Sequence, residues 1–393
     1  MAMTNSAPTP MGNMERILRL MAEKHASDLY LSTGAPALLR IDGECIPVNN
    51  QILPPDAPLR LLSEILPPEQ INELKANREL NVAWSVPGVG RFRISAMRQR
   101  GTIAVVIRYI LNDIPDLESL NLPAILSTLI LEKRGLVLMV GATGAGKSTT
   151  LAAMLEHRNA TLPGHILTIE DPIEFLFKNK RSVVNQREVG IDTESLEVAL
   201  RNGLRQAPDV ILIGEIRDRE TMSAAIAYAQ TGHLCLATMH ANNSNQALNR
   251  ILSFYPAEVR PTMLGDLATA LKAIISQRLL RTVKKSRVAA VEVMTNTRLV
   301  SELIEKGDFS GISEAMEKSM AEGSQTFEVD IARLITAGLV DRKEGVSHAD
   351  SPTNLLWRLQ NQVVADKKAK NQAPQEDPDD EPTFTEITLD VNH

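Results

Sequence analysis

Apolar residues recur along this chain with two different periods. Met14, Ile17, Leu18 and Met21 fall at i, i+3, i+4 and i+7, which predicts an amphipathic helix. Strand-like runs follow at DLYLSTG (28–34) and PALLRIDGECIPV (36–48), the second broken by Asp42-Gly43, a hairpin signal. GRFRISAMRQRGTIAVVIRYI (90–110) reads as two strands joined near Gln99-Arg100-Gly101. Helices flanking several strands predict a small α+β domain over residues 13–112. The polar, Pro-containing residues 1–12 read as a flexible arm, and DIPDLESLNLP places a linker at 113–123.

From residue 124 the rhythm changes. GLVLMV (135–140), HILTIED (165–171), DVILIGE (209–215) and HLCLATMH (233–240) are short apolar runs separated by helix-length segments. That alternation predicts an α/β domain over 124–350, with a mostly parallel sheet covered on both faces. Most of residues 260–345 reads as helical. SPTNLLWRLQN opens a C-terminal segment at 351–365. The polar, acidic, Pro-bearing residues 366–393 read as a disordered tail.

The junctions of the second domain carry the chemistry. GATGAGKS (141–148) fits G-x₄-G-K-[ST] directly after one apolar run and before the helical TTLAAMLEH. A chance match in a chain of this length is about a one per cent event at average composition. Glycines let backbone N–H groups close around phosphates, and the following helix N-terminus adds partial positive charge. The candidate nucleotide-binding residues are Gly141, Thr143, Gly144, Ala145, Gly146, Lys147, Ser148 and Thr149, with Lys147 for the β/γ-phosphates and Ser148 for Mg²⁺. DVILIGE has the form of a Walker-B strand that delivers Glu215 beside this loop, as a second Mg²⁺ ligand or a polariser of the attacking water. ILTIEDPIEF (166–175) ends in three acids, Glu170, Asp171 and Glu174; spacing alone does not choose a catalytic base among them.

Paired histidines in TGHLCLATMH (231–240) invite a metal reading, which geometry removes. His233 and His240 lie about 23 Å apart along a strand, on opposite faces. Along a helix they would be roughly 10 Å apart, again too far for one ion. Five arginines in the first domain, Arg91, Arg93, Arg98, Arg100 and Arg108, are candidate fingers onto the phosphates of a neighbouring subunit. The net charge of −6 and the 3% aromatic content argue against a nucleic-acid partner. The two cysteines, Cys45 and Cys235, make neither a disulfide framework nor a zinc module. No apolar run reaches the roughly 18 residues of a membrane span, and the start has no export signature, so a cytoplasmic location is expected.

GATGAGKSTTLAAML, ILTIEDPIEF, VNQREVG (184–190), ALRNGLRQAPDVILIGEIRD (199–218) and TGHLCLATMH look like the Walker A, Asp box, Walker B and His box of bacterial secretion and pilus ATPases. In that order, they resemble the type IV pilus retraction ATPase family (PilT/PilU). GRFRISAMRQRG (90–101), FYPAE (254–258) and ISQRLL (275–280) match more loosely. The segment SPTNLLWRLQN (351–361) and the tail resemble the accessory, PilU-type branch.

The resemblance implies a PAS-like N-terminal domain, a RecA-like ATPase domain and a homohexamer. It implies Glu174 as the catalytic glutamate, Glu215 as the Walker-B glutamate near Mg²⁺, and His233 and His240 as the His-box pair. It places Arg100 and Arg108 as arginines facing the nucleotide across a subunit boundary. ATP and Mg²⁺ are the implied cofactors; a PilT-like retraction ATPase and an inner-membrane pilus platform protein are the implied partners. The expected location is the cytoplasmic base of the pilus, docked peripherally at the inner membrane.

One stretch departs from the pattern. Principal retraction motors carry an Ala-Ile-Arg-Asn-Leu stretch, where this chain reads TRLVSELIEKGD (297–308), without an Arg-Asn pair. That favours an accessory role in retraction and twitching motility. A pilus-assembly or type II secretion ATPase and a non-hydrolytic scaffold for the retraction motor stand as alternatives.

Overall fold

In the computed structural model the periodic run Met14–Met21 forms the expected helix, Asn13–Glu23, with Met14, Leu18 and Met21 buried. The structure describes residues 12–41, 43–110, 114–318, 321 and 323–361. Most of the expected arm, Asp42 of the hairpin signal, the start of the linker and the acidic tail lie outside these residues.

The N-terminal part builds a six-stranded antiparallel sheet. Its strands are β1 (Asp28–Leu31), β2 (Pro36–Ile41), β3 (Glu44–Ile52), β4 (Glu79–Val86), β5 (Gly90–Gln99) and β6 (Thr102–Ile110), in the order β3-β2-β1-β6-β5-β4. On β5, Phe92, Ile94 and Ala96 alternate into a core shared with Met14, Leu18, Leu62 and Leu74. The same alternation turns Arg91 and Arg93 to the opposite face.

A seven-stranded sheet follows: β7 (Gly135–Val140), β8 (Gly164–Glu170), β9 (Ser182–Glu188), β10 (Val210–Ile213), β11 (Leu234–Met239), β12 (Leu271–Arg281) and β13 (Arg287–Thr295). Their order is β13-β12-β7-β11-β10-β8-β9, parallel except for the β12–β13 hairpin. Leu136, Leu138 and Val140 of β7 enter one core, while Val137 and Met139 enter the core on the other face. Burial on both faces is why this strand reads as a continuous apolar run. The protein is thus an α/β chain with a RecA-like P-loop domain preceded by a smaller PAS-like domain.

The helical expectation for residues 260–345 fails at 271–295. Leu271–Arg281 continues the parallel sheet beside β7 and returns as β13. The run KAIISQRLL fits a buried strand or a buried helix by periodicity alone, and pairing with β7 decides it. β9 has no counterpart in the sequence reading, because this edge strand turns polar after Val184. Helices then dominate: Arg298–Lys306, Ile312–Lys318, Phe327–Thr336, Arg342–His348 and 352–361. In the last, Leu355 and Leu359 pack with Phe327 and Ile331, while Trp357 stays 61% exposed. Leu117 and Leu122 dock the linker on the ATPase core. No helix among the described residues is long and apolar enough to cross a membrane.

Candidate active site

The loop 141–148 leaves the C-terminal end of β7 and enters the helix Lys147–Thr161. Gly146 turns the chain at φ +88°, which disfavours any Cβ. A Cβ there would also stand 2.7 Å from Gln277 Nε2 on β12. Gln277 braces the loop from behind. Its Nε2 donates to Ala145 O at 2.8 Å, and its Oε1 accepts from Thr150 Oγ1 at 2.8 Å. Lys147 Nζ donates to Gly141 O at 2.8 Å and Ala142 O at 3.0 Å. Burial lowers its pKa, and the Glu215 carboxylate pulls the other way.

Glu215 stands just past the end of β10. Its Oε2 accepts from Arg217 Nε at 2.7 Å, and its Oε1 lies 3.3 Å from His240 Nε2. His240 follows directly on β11, the strand between β7 and β10. The same sheet edge separates the three acids at and just beyond the end of β8. Glu170 is 9% exposed, accepts from Thr168 Oγ1 at 2.6 Å and Gln186 Nε2 at 3.3 Å, and burial raises its pKa. Asp171 is exposed and lies 3.9 Å from Arg217. Glu174 is exposed into the cleft.

One cleft of ≈ 920 Å³ gathers Thr143, Gly144, Gly146, Lys147, Ser148 and Thr149 with Glu174, Glu215 and His240. Arg93 and Arg108 of the N-terminal part also line it, so both parts of the chain form its walls. Arg108 donates to Asp28 at 2.9 Å yet remains 60% exposed. Gly141 and Ala145 form the base of the loop, both buried.

Two residues expected at the site lie away from this cleft. Arg100 occupies the exposed β5–β6 turn, at φ +46°. His233 sits at the start of β11, where its carbonyl accepts from Gly135 N at 3.0 Å. Its Nδ1 is 3.1 Å from Thr231 Oγ1 and 3.2 Å from Tyr228 O. The strand between holds the two histidines about 23 Å apart. Sequence reasoning missed Gln277 and Arg217 as parts of the site. Gln277 lies in ISQRLL and Arg217 two residues beyond Glu215, and no spacing rule ties either to the phosphate loop.

A family model described as type II/IV secretion system protein matches residues 12–334. This chain belongs to that family. It is 48% identical over 342 residues to the type IV pilus ATPase PilU of Pseudomonas aeruginosa, covering 87% of this chain and 90% of that protein. It is 37% identical over 342 residues to the type IV pilus retraction ATPase PilT of the same organism, covering 87% of this chain and 99% of that one. The fold matches a crystal structure of the pilus retraction motor PilT with bound ADP at a TM-score of 0.82 and 36% identity, covering 88% of this chain and 98% of that one. Within the type II/IV secretion system family the chain groups with the type IV pilus ATPases, and it is a P-loop ATP hydrolase.

Proposed function

We propose that this chain is an accessory motor of type IV pilus retraction, a Mg²⁺-dependent homohexameric ATPase that works beside a PilT-type motor. The single observation that carries the reading is the shared cleft of Lys147, Ser148, Glu174, Glu215 and His240 at one sheet edge. The similarity to PilU supports the accessory role, as does the helix Arg298–Lys306, which lacks an Arg-Asn pair and leaves Arg298 largely exposed. The partner machinery is an inner-membrane platform protein at the cytoplasmic base of the pilus.

In this reading Lys147 exchanges its two loop carbonyls for the β/γ-phosphates of ATP. Glu174 positions a water in line with the γ-phosphorus and takes its proton as the new P–O bond forms. The bond to the β-bridging oxygen breaks, and ADP and phosphate leave. The oxygen donors Ser148 and Glu215 fit a hard cation and would hold Mg²⁺. Bound there, Mg²⁺ would neutralise negative charge on the phosphate. His240 reads the γ-phosphate edge through Glu215. Arg108 at the cleft wall and Arg100 at the exposed turn are the candidates for neutralising charge across a subunit boundary. Turnover moves the N-terminal part against the ATPase part across the linker 113–123, a hinge transition.

The test is steady-state ATP hydrolysis by the purified chain with Mg²⁺. Lys147→Ala and Glu174→Gln abolish turnover; normal turnover in Glu174→Gln overturns the assignment of that residue. Imaging pilus retraction in cells lacking this protein, the PilT-type motor, or both tests the accessory role. Weakened retraction in cells lacking this chain alone, with retraction lost in cells lacking the PilT-type motor, supports it; retraction unchanged in cells lacking this chain overturns it.

A further inference from the structure

Arg91 reaches from β5 of the N-terminal part to Glu188 at the end of β9. Its Nη2 lies 2.7 Å from Glu188 Oε2, with side chains only 17% and 8% exposed. The same oxygen accepts from Ile173 N at 3.2 Å. Ile173 is the residue directly before Glu174. Glu188 is itself anchored in the ATPase sheet. It sits opposite Glu170 in the β8–β9 register, and its N–H donates to Asp192 Oδ2 at 2.8 Å. Val189 N donates to Glu170 O at 2.9 Å, which closes the end of the strand pair.

We propose that Arg91 and Glu188 are positioning residues for hydrolysis. Together they hold the backbone that carries Glu174 only while the N-terminal part is seated on the ATPase part. The inference rests on Glu174 acting as the catalytic carboxylate. A carboxylate this buried needs its partner: without Arg91 the Glu188 charge is uncompensated and swings toward water. That movement withdraws the acceptor for Ile173 N. The neighbouring Glu174 then loses its fixed approach to the water, and catalysis is sensitive to displacements of about 1 Å. Domain seating and chemistry are thereby coupled through one carboxylate oxygen.

A pair that merely glued the two parts together would affect stability, leaving chemistry in the folded protein intact. The discriminating experiment uses the full chain carrying Arg91→Ala, Arg91→Lys, Glu188→Gln or Glu174→Gln. ATPase kinetics, ADP affinity and hydrogen exchange at Ile173 are measured for each. Arg91→Ala lowers kcat roughly ten- to a hundredfold, with KM and ADP affinity near wild type, because the phosphate loop is untouched. Ile173 exchanges faster in that variant, and Arg91→Lys recovers much of the lost kcat. Should Arg91→Ala fail to fold, Glu188→Gln gives the same reading, since it keeps a similar shape but drops the charge facing Arg91. Wild-type kcat in a folded variant, or a loss confined to KM, overturns the proposal. An inert Glu174→Gln beside a fully active Arg91→Ala removes the role of the pair alone. A fully active Glu174→Gln removes the reading on which it rests.

Discussion

His240 Nε2 lies 3.3 Å from Glu215 Oε1, and Arg217 holds the other oxygen of the same carboxylate at 2.7 Å. A side chain at the end of one strand thus sets the direction of a carboxylate at the end of the next. His240→Ala leaves Glu215 free to swing toward Arg217 alone and lowers kcat roughly ten- to a hundredfold. His233→Ala, at the other end of the same strand, leaves kcat of the isolated chain near wild type. Steady-state kinetics on both variants check the contrast, and equal losses would remove it.

Gln277 ties Thr150 to Ala145 behind the phosphate loop. Gln277→Ala strands two buried hydrogen-bonding groups and costs about 1–3 kcal/mol of stability. It also loosens the loop that must wrap the phosphates, so KM for ATP rises. Thermal unfolding and ATP kinetics together report both effects; a normal melt with a normal KM would refute the brace.

Glu292 is 6% exposed and accepts from Ser244 N, Ser244 Oγ and Ser276 Oγ. Burial raises its pKa above the ordinary 4.5. A carboxyl with a raised folded pKa adds stability that is fully present below the unfolded value and is lost as pH rises through the folded one. Glu292→Gln keeps the acceptor oxygen and has nothing to ionise. The variant therefore gains on wild type as pH rises above the ordinary carboxylate value, and melting temperatures measured at increasing pH report the gap. A gap that closes as pH rises reverses the sign and refutes the account.

Cys235 is fully buried in β11 and burial pushes its thiol pKa far up, whereas Cys45 is exposed on β3. In the native protein a thiol reagent labels Cys45 alone; adding denaturant exposes the second thiol. Mass spectrometry of the labelled peptides identifies the site.

Arg278 donates to His348 O at 2.5 Å, pairs with Asp350 and lies over the Phe327 ring at 3.9 Å. It fastens the start of the C-terminal segment to β12, one residue from Gln277. Arg278→Ala loosens helix 352–361 while the sheet stays folded. Limited proteolysis then cuts near Asp350 earlier than in wild type.

Much of the local structure is legible residue by residue. The i, i+3, i+4, i+7 spacing of Met14 to Met21 requires one buried helical face, and it forms one. GATGAGKS between an apolar run and a helix admits few structures, because the glycines, the lysine and the hydroxyl each serve phosphate geometry. The hairpin 271–295 was not legible. Its apolar residues satisfy a helix and a strand equally until β7 supplies a hydrogen-bonding partner.

The acids after β8 show the same division. Three carboxylates in five residues mark an edge where phosphate chemistry belongs, and no periodicity ranks them. Folding does, by burying Glu170 against Thr168 and Gln186, turning Asp171 toward Arg217 and leaving Glu174 open to the cleft. Chemical type, spacing and strand rhythm are properties of neighbours in the chain, so the amino-acid order alone specifies the phosphate loop, the Walker-B carboxylate and the separation of the two histidines. Which carboxylate faces solvent, that Gln277 braces the loop across 132 positions and that Arg91 meets Glu188 across 97 depend on long-range packing. Those contacts arise only when distant segments exclude water from one another, and the tertiary structure alone decides them.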